Sequence, residues 1–126
     1  MTDANPKFKG SKHNAQKIMM ELVPMSWMKD VAAVMTYGAN KYAPGNWKQG
    51  LPEEEVIGAM LRHIEQFRSG EQYDKETGLD HRAHAACELM FWMELYPVKN
   101  KSKTFETMWK KISELPKKKK GAKKKK

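Results

Sequence analysis

One cysteine, Cys87, occurs in 126 residues. A single thiol excludes an internal disulfide framework and any thiolate zinc cluster within one chain, and it suits a reducing cytosol. Long apolar runs are missing as well. The longest, residues 89–93, is far too short to span a bilayer, and the N-terminus has no apolar core of signal-peptide length. We therefore expect no membrane role and a cytoplasmic location. No window alternates at period two and no segment repeats. Excess positive charge is absent from the body despite a net charge of +9. Residues 117–126 hold eight of the 24 basic residues, which leaves 16 against 15 acidic ones. Residues 53–94 carry ten carboxylates and four basic residues, a segment that repels phosphate unless a cation is bound there.

What is present reads as helices. Leu22-Val23-Pro24 opens a periodic stretch in which Met25, Met28, Ala32, Met35, Ala39 and Tyr42 recur three or four residues apart, one helix face. Pro44-Gly45 stops it. A second helix starts at Pro52-Glu53-Glu54-Glu55, with acids suited to the helix dipole. Its inner face is Val56, Met60, His63 and Phe67, widened by Ile57, Leu61 and Ile64, and Ser69-Gly70 ends it. A third runs from about Asp80 to Tyr96 with Ala85, Leu89, Trp92 and Tyr96 inside. A short last helix, about Thr104 to Leu115, shows Phe105, Met108, Ile112 and Leu115. The class is all-α, a small helical bundle. Residues 1–20 read as an arm, 21–97 as the catalytic helical domain, 98–116 as a C-terminal helix, and 117–126 as a disordered lysine-rich tail.

Chemistry concentrates between Arg62 and Glu88, where three of the four histidines stand among six of the fifteen carboxylates. Imidazole and carboxylate are the ligands that divalent metals take from a chain without a thiolate cage, and they serve proton transfer near neutral pH. His81, His84 and Glu88 lie three and four residues apart on one helix face. His63 sits on the antiparallel helix before them. The glycine-bounded loop of residues 70–78 can turn Glu71, Asp74 and Glu76 toward one ion, although it lacks the glycine position and length of a calcium-sensing EF-hand. The plain alternatives are a hydrogen-bonded core histidine and an ordinary solvated loop.

Around the first turn, Lys41 can neutralise phosphate, Tyr42 or Trp47 can stack on a base, and Asn46 can read a purine edge. Alternatively, Tyr42 and Trp47 simply cap the core. Arg62 can hold phosphate oxygens or pair with nearby acids. The lysine tail supports weak, nonspecific nucleic-acid contact at most, since no aromatics are interleaved with it.

The ordered set Tyr37-Gly38-Ala39-Asn40-Lys41-Tyr42, Asn46-Trp47, Arg62-His63, then Gly70-Glu71 through Asp74, Glu76, Gly78, His81 and His84 resembles the phage-type dATP/dGTP diphosphohydrolases. These are small all-α enzymes grouped with the MazG-like nucleotide pyrophosphohydrolases. The likeness covers roughly residues 17–97 and includes the Leu22-Val23-Pro24 lead-in. It implies cleavage of a purine deoxynucleoside triphosphate to the monophosphate and diphosphate. It also implies a supply of dGMP for 2-aminoadenine nucleotide synthesis in host cytoplasm, and depletion of dATP. Divalent magnesium or manganese, with cobalt as a further candidate, and a homodimer or homotetramer are implied too. Typical MazG proteins present Glu-x-x-Glu and Glu-x-x-Asp on helices. Here the second helix offers His63-Ile64-Glu65, Glu71-x-x-Asp74 falls in a loop, and the third helix presents His81 and His84.

The expected catalytic residues are His63, Glu71 and His84. Glu71, Asp74, Glu76, His81, His84 and Glu88 are the expected metal ligands, and Lys41, Tyr42, Asn46, Trp47 and Arg62 the expected substrate contacts. Two rivals remain. Asp80-His81 with His63 upstream suggests an HD-type phosphohydrolase, and the lysine tail suggests a nucleic-acid-binding accessory protein. The methionines and aromatics Met19, Met20, Met25, Met28, Met90, Phe91, Trp92 and Met93 exceed what one inner stripe needs. That excess points to a subunit interface, unless the N-terminal arm folds back over it.

Overall fold

The computed structural model describes residues 17–116, so most of the expected arm and the whole lysine tail lie outside it. The described residues form four α-helices: α1 (Met25–Lys41), α2 (Glu53–Arg68), α3 (His81–Leu95) and α4 (Lys101–Ser113). Short 3-10 turns occupy Met20–Leu22 and Asn46–Gln49. The expected all-α class holds, and the expected breaks fall where proline and glycine put them. Pro24 and Pro52, both extended, precede α1 and α2. The carboxylate of Asp80 caps α3 by accepting from the Arg82 amide at 2.7 Å.

Two glycines shape the segment between α2 and α3. Gly70 adopts φ +111°, which lets the chain leave α2 with the Glu71 amide bonded back to the Gln66 carbonyl at 3.0 Å. Gly78, at φ +72°, closes a tight turn in which its amide meets the Asp74 carbonyl at 2.7 Å. The two arms then run antiparallel. Asp74 donates to Leu79, His81 donates to Gln72, and Tyr73 and Asp80 form an isolated bridge. A segment that reads as a plain polar loop is thus a hydrogen-bonded clasp over the start of α3.

α3 is the central helix, packed against α2 on one side and α1 on the other. Its buried residues are His81, Ala83, Ala85 and Cys87, spaced two apart rather than three or four. Small side chains at these positions let both neighbours approach. Cys87 Sγ lies 3.3 Å from Met35 Sδ of α1, and Trp92 Nε1 donates to Glu53 Oε2 of α2 at 2.9 Å. Leu89 and Tyr96, expected inside, are exposed, because a helix with partners on two sides has no single inner stripe.

α1 turns a different face inward than its methionine periodicity indicates. Val31, Val34, Met35, Tyr37, Gly38 and Ala39 are half-buried, whereas Met25, Met28, Ala32 and Tyr42 are exposed. On α2, Leu61 and Ile64 also point to solvent, which narrows the expected face to Val56, Ile57, Met60, His63 and Phe67. α4 begins three residues earlier than its pattern indicates and leaves Ile112 and Leu115 uncovered. Among the described residues only Val56, Ala83, Ala85 and Cys87 form a fully buried apolar core, while Met20, Leu22, Met25 and Trp27 are each more than half exposed. No helix among these residues is long and apolar enough to cross a membrane.

Candidate metal and phosphate site

The most deeply buried large side chain is a histidine. His81 opens α3 with no solvent exposure, which is tolerable only because both its ring nitrogens have partners. Nε2 lies 2.7 Å from Glu71 Oε2 in the clasp. A carboxylate only accepts, so the Nε2 proton is donated to it and the Nδ1 lone pair faces the other way. There it meets Nδ1 of His63, from α2, at 2.8 Å. The His63 ring in turn stacks on His84, one turn beyond His81, with centroids 4.5 Å apart and planes 10° from parallel.

Asp74 completes the group. One of its oxygens, Oδ2, accepts the backbone amides of Glu76 and Thr77 at 3.0 and 2.9 Å, and the Thr77 side chain also bonds the carboxylate. Ligand atoms of His63, Asp74 and His81 all lie within 4.8 Å of one another. This is the one such group among the described residues, and two imidazoles with a carboxylate suit a divalent cation. Burial pushes the Asp74 carboxyl up, but the amide hydrogen bonds and neighbouring His84 outweigh it and hold it below the usual value. Burial is also the main reason that His63 and His84 sit below the ordinary imidazole value, so both stay neutral with lone pairs available. His84 Nε2 is 2.7 Å from Thr77 Oγ1, and no hydrogen bond to its Nδ1 is made among the described residues.

Other expected site residues lie apart from this group. Glu76 is taken by α1: Tyr37 Oη donates to its Oε2 at 3.0 Å, and Lys41 Nζ bonds the same oxygen. The Lys41 bond and then the Tyr37 bond hold the Glu76 carboxyl below its usual value, and Lys41 is raised in return. Glu88, one turn past His84, is half-buried, and burial pushes it up to about 7 despite the charge of Arg62. Asp80 is occupied by its cap and by Arg82, whose guanidinium lies 4.2 Å from the Phe67 ring. Trp47 stacks on Phe91 of α3 at 4.8 Å, which gives it a packing role, whereas Asn46 and Tyr42 are exposed. Arg62, beside His63, is exposed.

Two residues that bond expected site residues were not singled out by sequence reasoning. Tyr37 shares a helix face with Lys41 four residues on, a spacing that signals a common target. Thr77 both accepts the Leu79 amide and contacts His84, and only the folded clasp reveals this.

Comparison with known proteins gives the arrangement a context. The family model described as dATP/dGTP diphosphohydrolase, N-terminal, matches residues 7–104. A curated dATP/dGTP diphosphohydrolase from Salmonella phage PMBT28 is 39% identical over 82 residues, covering 65% of this chain and 28% of that protein. The chain therefore spans little more than a quarter of that relative's length. No solved structure matches. The matched residues contain the whole clasp and all three site histidines, and the chain belongs to the dATP/dGTP diphosphohydrolase N-terminal-domain family.

Proposed function

We propose that the chain hydrolyses purine deoxynucleoside triphosphates, dGTP and dATP, to the monophosphate and diphosphate with a divalent metal ion. The observation that carries this is the convergence of His63, His81 and Asp74 inside a chain of the diphosphohydrolase family. A metal ion bound there supplies charge neutralisation for the triphosphate and acidifies a water. Glu71 holds His81 in the orientation that aims Nδ1 into the group. His84, neutral and with Nδ1 unoccupied, accepts the proton of the attacking water. Arg62, adjacent to His63 and exposed, binds phosphate oxygens, and Lys41 joins it when substrate draws it from Glu76. Asn46 and Tyr42, both exposed, are the purine contacts in this reading. In this reading Asp74 is a ligand, and Glu76 and Glu88 stand outside the group. The dGMP product would feed 2-aminoadenine nucleotide synthesis in phage metabolism.

The HD-type rival loses its main support, because Asp80 is committed to Arg82 and the helix cap rather than to the histidines. We also propose a homodimer or homotetramer, given how much of the apolar surface is uncovered. Light scattering should give a multiple of the 14.6 kDa chain mass. The activity is tested by incubating the purified protein with each dNTP and magnesium, manganese or cobalt, then separating products by ion exchange. Monophosphate and diphosphate from dGTP or dATP support the reading. Free nucleoside, or no turnover with any ion, contradicts it.

A further inference from the structure

The donors of the site say which class of ion it takes. Magnesium demands near-octahedral oxygen ligands, gives up its waters reluctantly, and is bound in proteins through carboxylates and substrate phosphates. The group here is different. Two of its three donors are imidazole nitrogens, from His63 and His81, and the third is a single carboxylate, Asp74. Affinity of a nitrogen-containing site for divalent ions rises along the first transition row, and imidazole suits zinc, iron, nickel and copper.

A second, independent feature points the same way. The Nε2 proton of His81 is donated to Glu71 Oε2 at 2.7 Å, and the residue has no solvent exposure. A carboxylate behind a buried imidazole fixes its tautomer and raises the basicity of the opposite nitrogen, the arrangement found behind histidine ligands of zinc. An oxygen-liganded magnesium gains nothing from it. Asp74 is likewise pre-set, since two backbone amides hold Oδ2.

We infer that the His63–Asp74–His81 centre is a transition-metal site that prefers zinc, cobalt or iron(II) to magnesium, with Glu71 acting as the positioning residue behind His81 and not as a ligand. This rests on the reading of the group as a metal centre. It goes beyond that reading in the identity of the ion and the role of Glu71.

The test is ion binding to the full chain without nucleotide. The chelator-stripped protein is titrated calorimetrically with zinc, cobalt and magnesium, and the cobalt form is examined by visible absorption. Zinc and cobalt should bind at least about a hundredfold more tightly than magnesium, with cobalt ligand-field bands that His63→Ala abolishes. Glu71→Gln keeps a hydrogen-bond acceptor behind His81 but removes its charge. It should weaken cobalt binding about 10- to 100-fold while the bands persist at saturation and the helical circular dichroism is unchanged. Magnesium binding as tight as cobalt would overturn the assignment of the ion. Loss of the bands in saturated Glu71→Gln would make Glu71 a ligand and overturn its positioning role. The selectivity order with no cleavage of any dNTP would sustain this inference and sink the proposed reaction. Cleavage of dGTP by a protein that binds magnesium and cobalt equally would do the reverse.

Discussion

The two ends of this molecule are built by opposite means. Around the clasp, nearly every polar atom has a named partner: Glu71 with His81, His81 with His63, Asp74 with two amides, Thr77 with His84, and Glu76 with Tyr37 and Lys41. The opposite region, from Ile18 to Met28, exposes one apolar residue after another. The comparison teaches that the site is specified within one chain by hydrogen bonds, whereas the apolar surface is left unfinished. Sequence patterning cannot tell a face awaiting a neighbour from a face within the core, because both are apolar at helical spacing.

The largest effect that breaks this contrast is removal of its centre. His81→Ala deletes a fully buried ring and strands Glu71 and His63 without their partner. Turnover should fall about a hundredfold or more, and stability by about 2–4 kcal/mol for the cavity and unmet polar groups. Steady-state kinetics and urea unfolding measure both.

Acid should act next, and on the clasp end alone. His63 and His84 titrate in the fold below their unfolded value of about 6.5. Between those values the unfolded chain takes up protons that the fold refuses. The stabilisation is therefore complete above about pH 6.5 and is lost as pH falls through the folded values. Glu88 has the opposite sign. Raised to about 7 from 4.5, it favours the fold at low pH and costs stability as pH rises through about 7. Glu88→Gln should raise the melting temperature of ion-free protein more at pH 8 than at pH 5.5, and in that variant, where the histidines act without the opposing carboxyl, the melting temperature should fall from pH 7 to pH 5.5. A Glu88→Gln melting temperature that climbs on acidification would contradict the histidine assignments.

A smaller change sharpens the contrast within the site. Tyr37→Phe removes one hydrogen bond to Glu76 and leaves Lys41 in place on an exposed pair. Such a pair contributes little by itself. Turnover should therefore drop only a few-fold, with the His63 and His81 geometry intact. Smallest of all is truncation of residues 117–126, which carry eight lysines outside the matched family region. Turnover should stay unchanged, whereas an accessory role in nucleic-acid binding would disappear with the tail.

Much of the fold was legible because proline, glycine and caps act locally. Pro24, Pro44-Gly45, Pro52, Ser69-Gly70 and Asp80 mark the helix ends to within three residues. The inward face of α1 was not legible, since its methionines repeat at helical spacing whether or not anything covers them. The sparing use of large residues on α3 likewise reflects two neighbours that spacing does not reveal. Within the site, the ordered histidines and Asp74 could be read from the chain. The diversion of Glu76 could not, because its partners Tyr37 and Lys41 lie 39 and 35 residues away. Nor could the Glu71–His81 hydrogen bond, which depends on the clasp folding back over His81.

The position of water attack defines the reaction. Hydrolysis of dGTP in heavy-oxygen water, followed by mass spectrometry of both products, reads this directly. Attack at the α-phosphorus places the label in dGMP and leaves the diphosphate unlabelled, the result predicted here. Label in diphosphate or orthophosphate, or release of unphosphorylated deoxyguanosine, would contradict it.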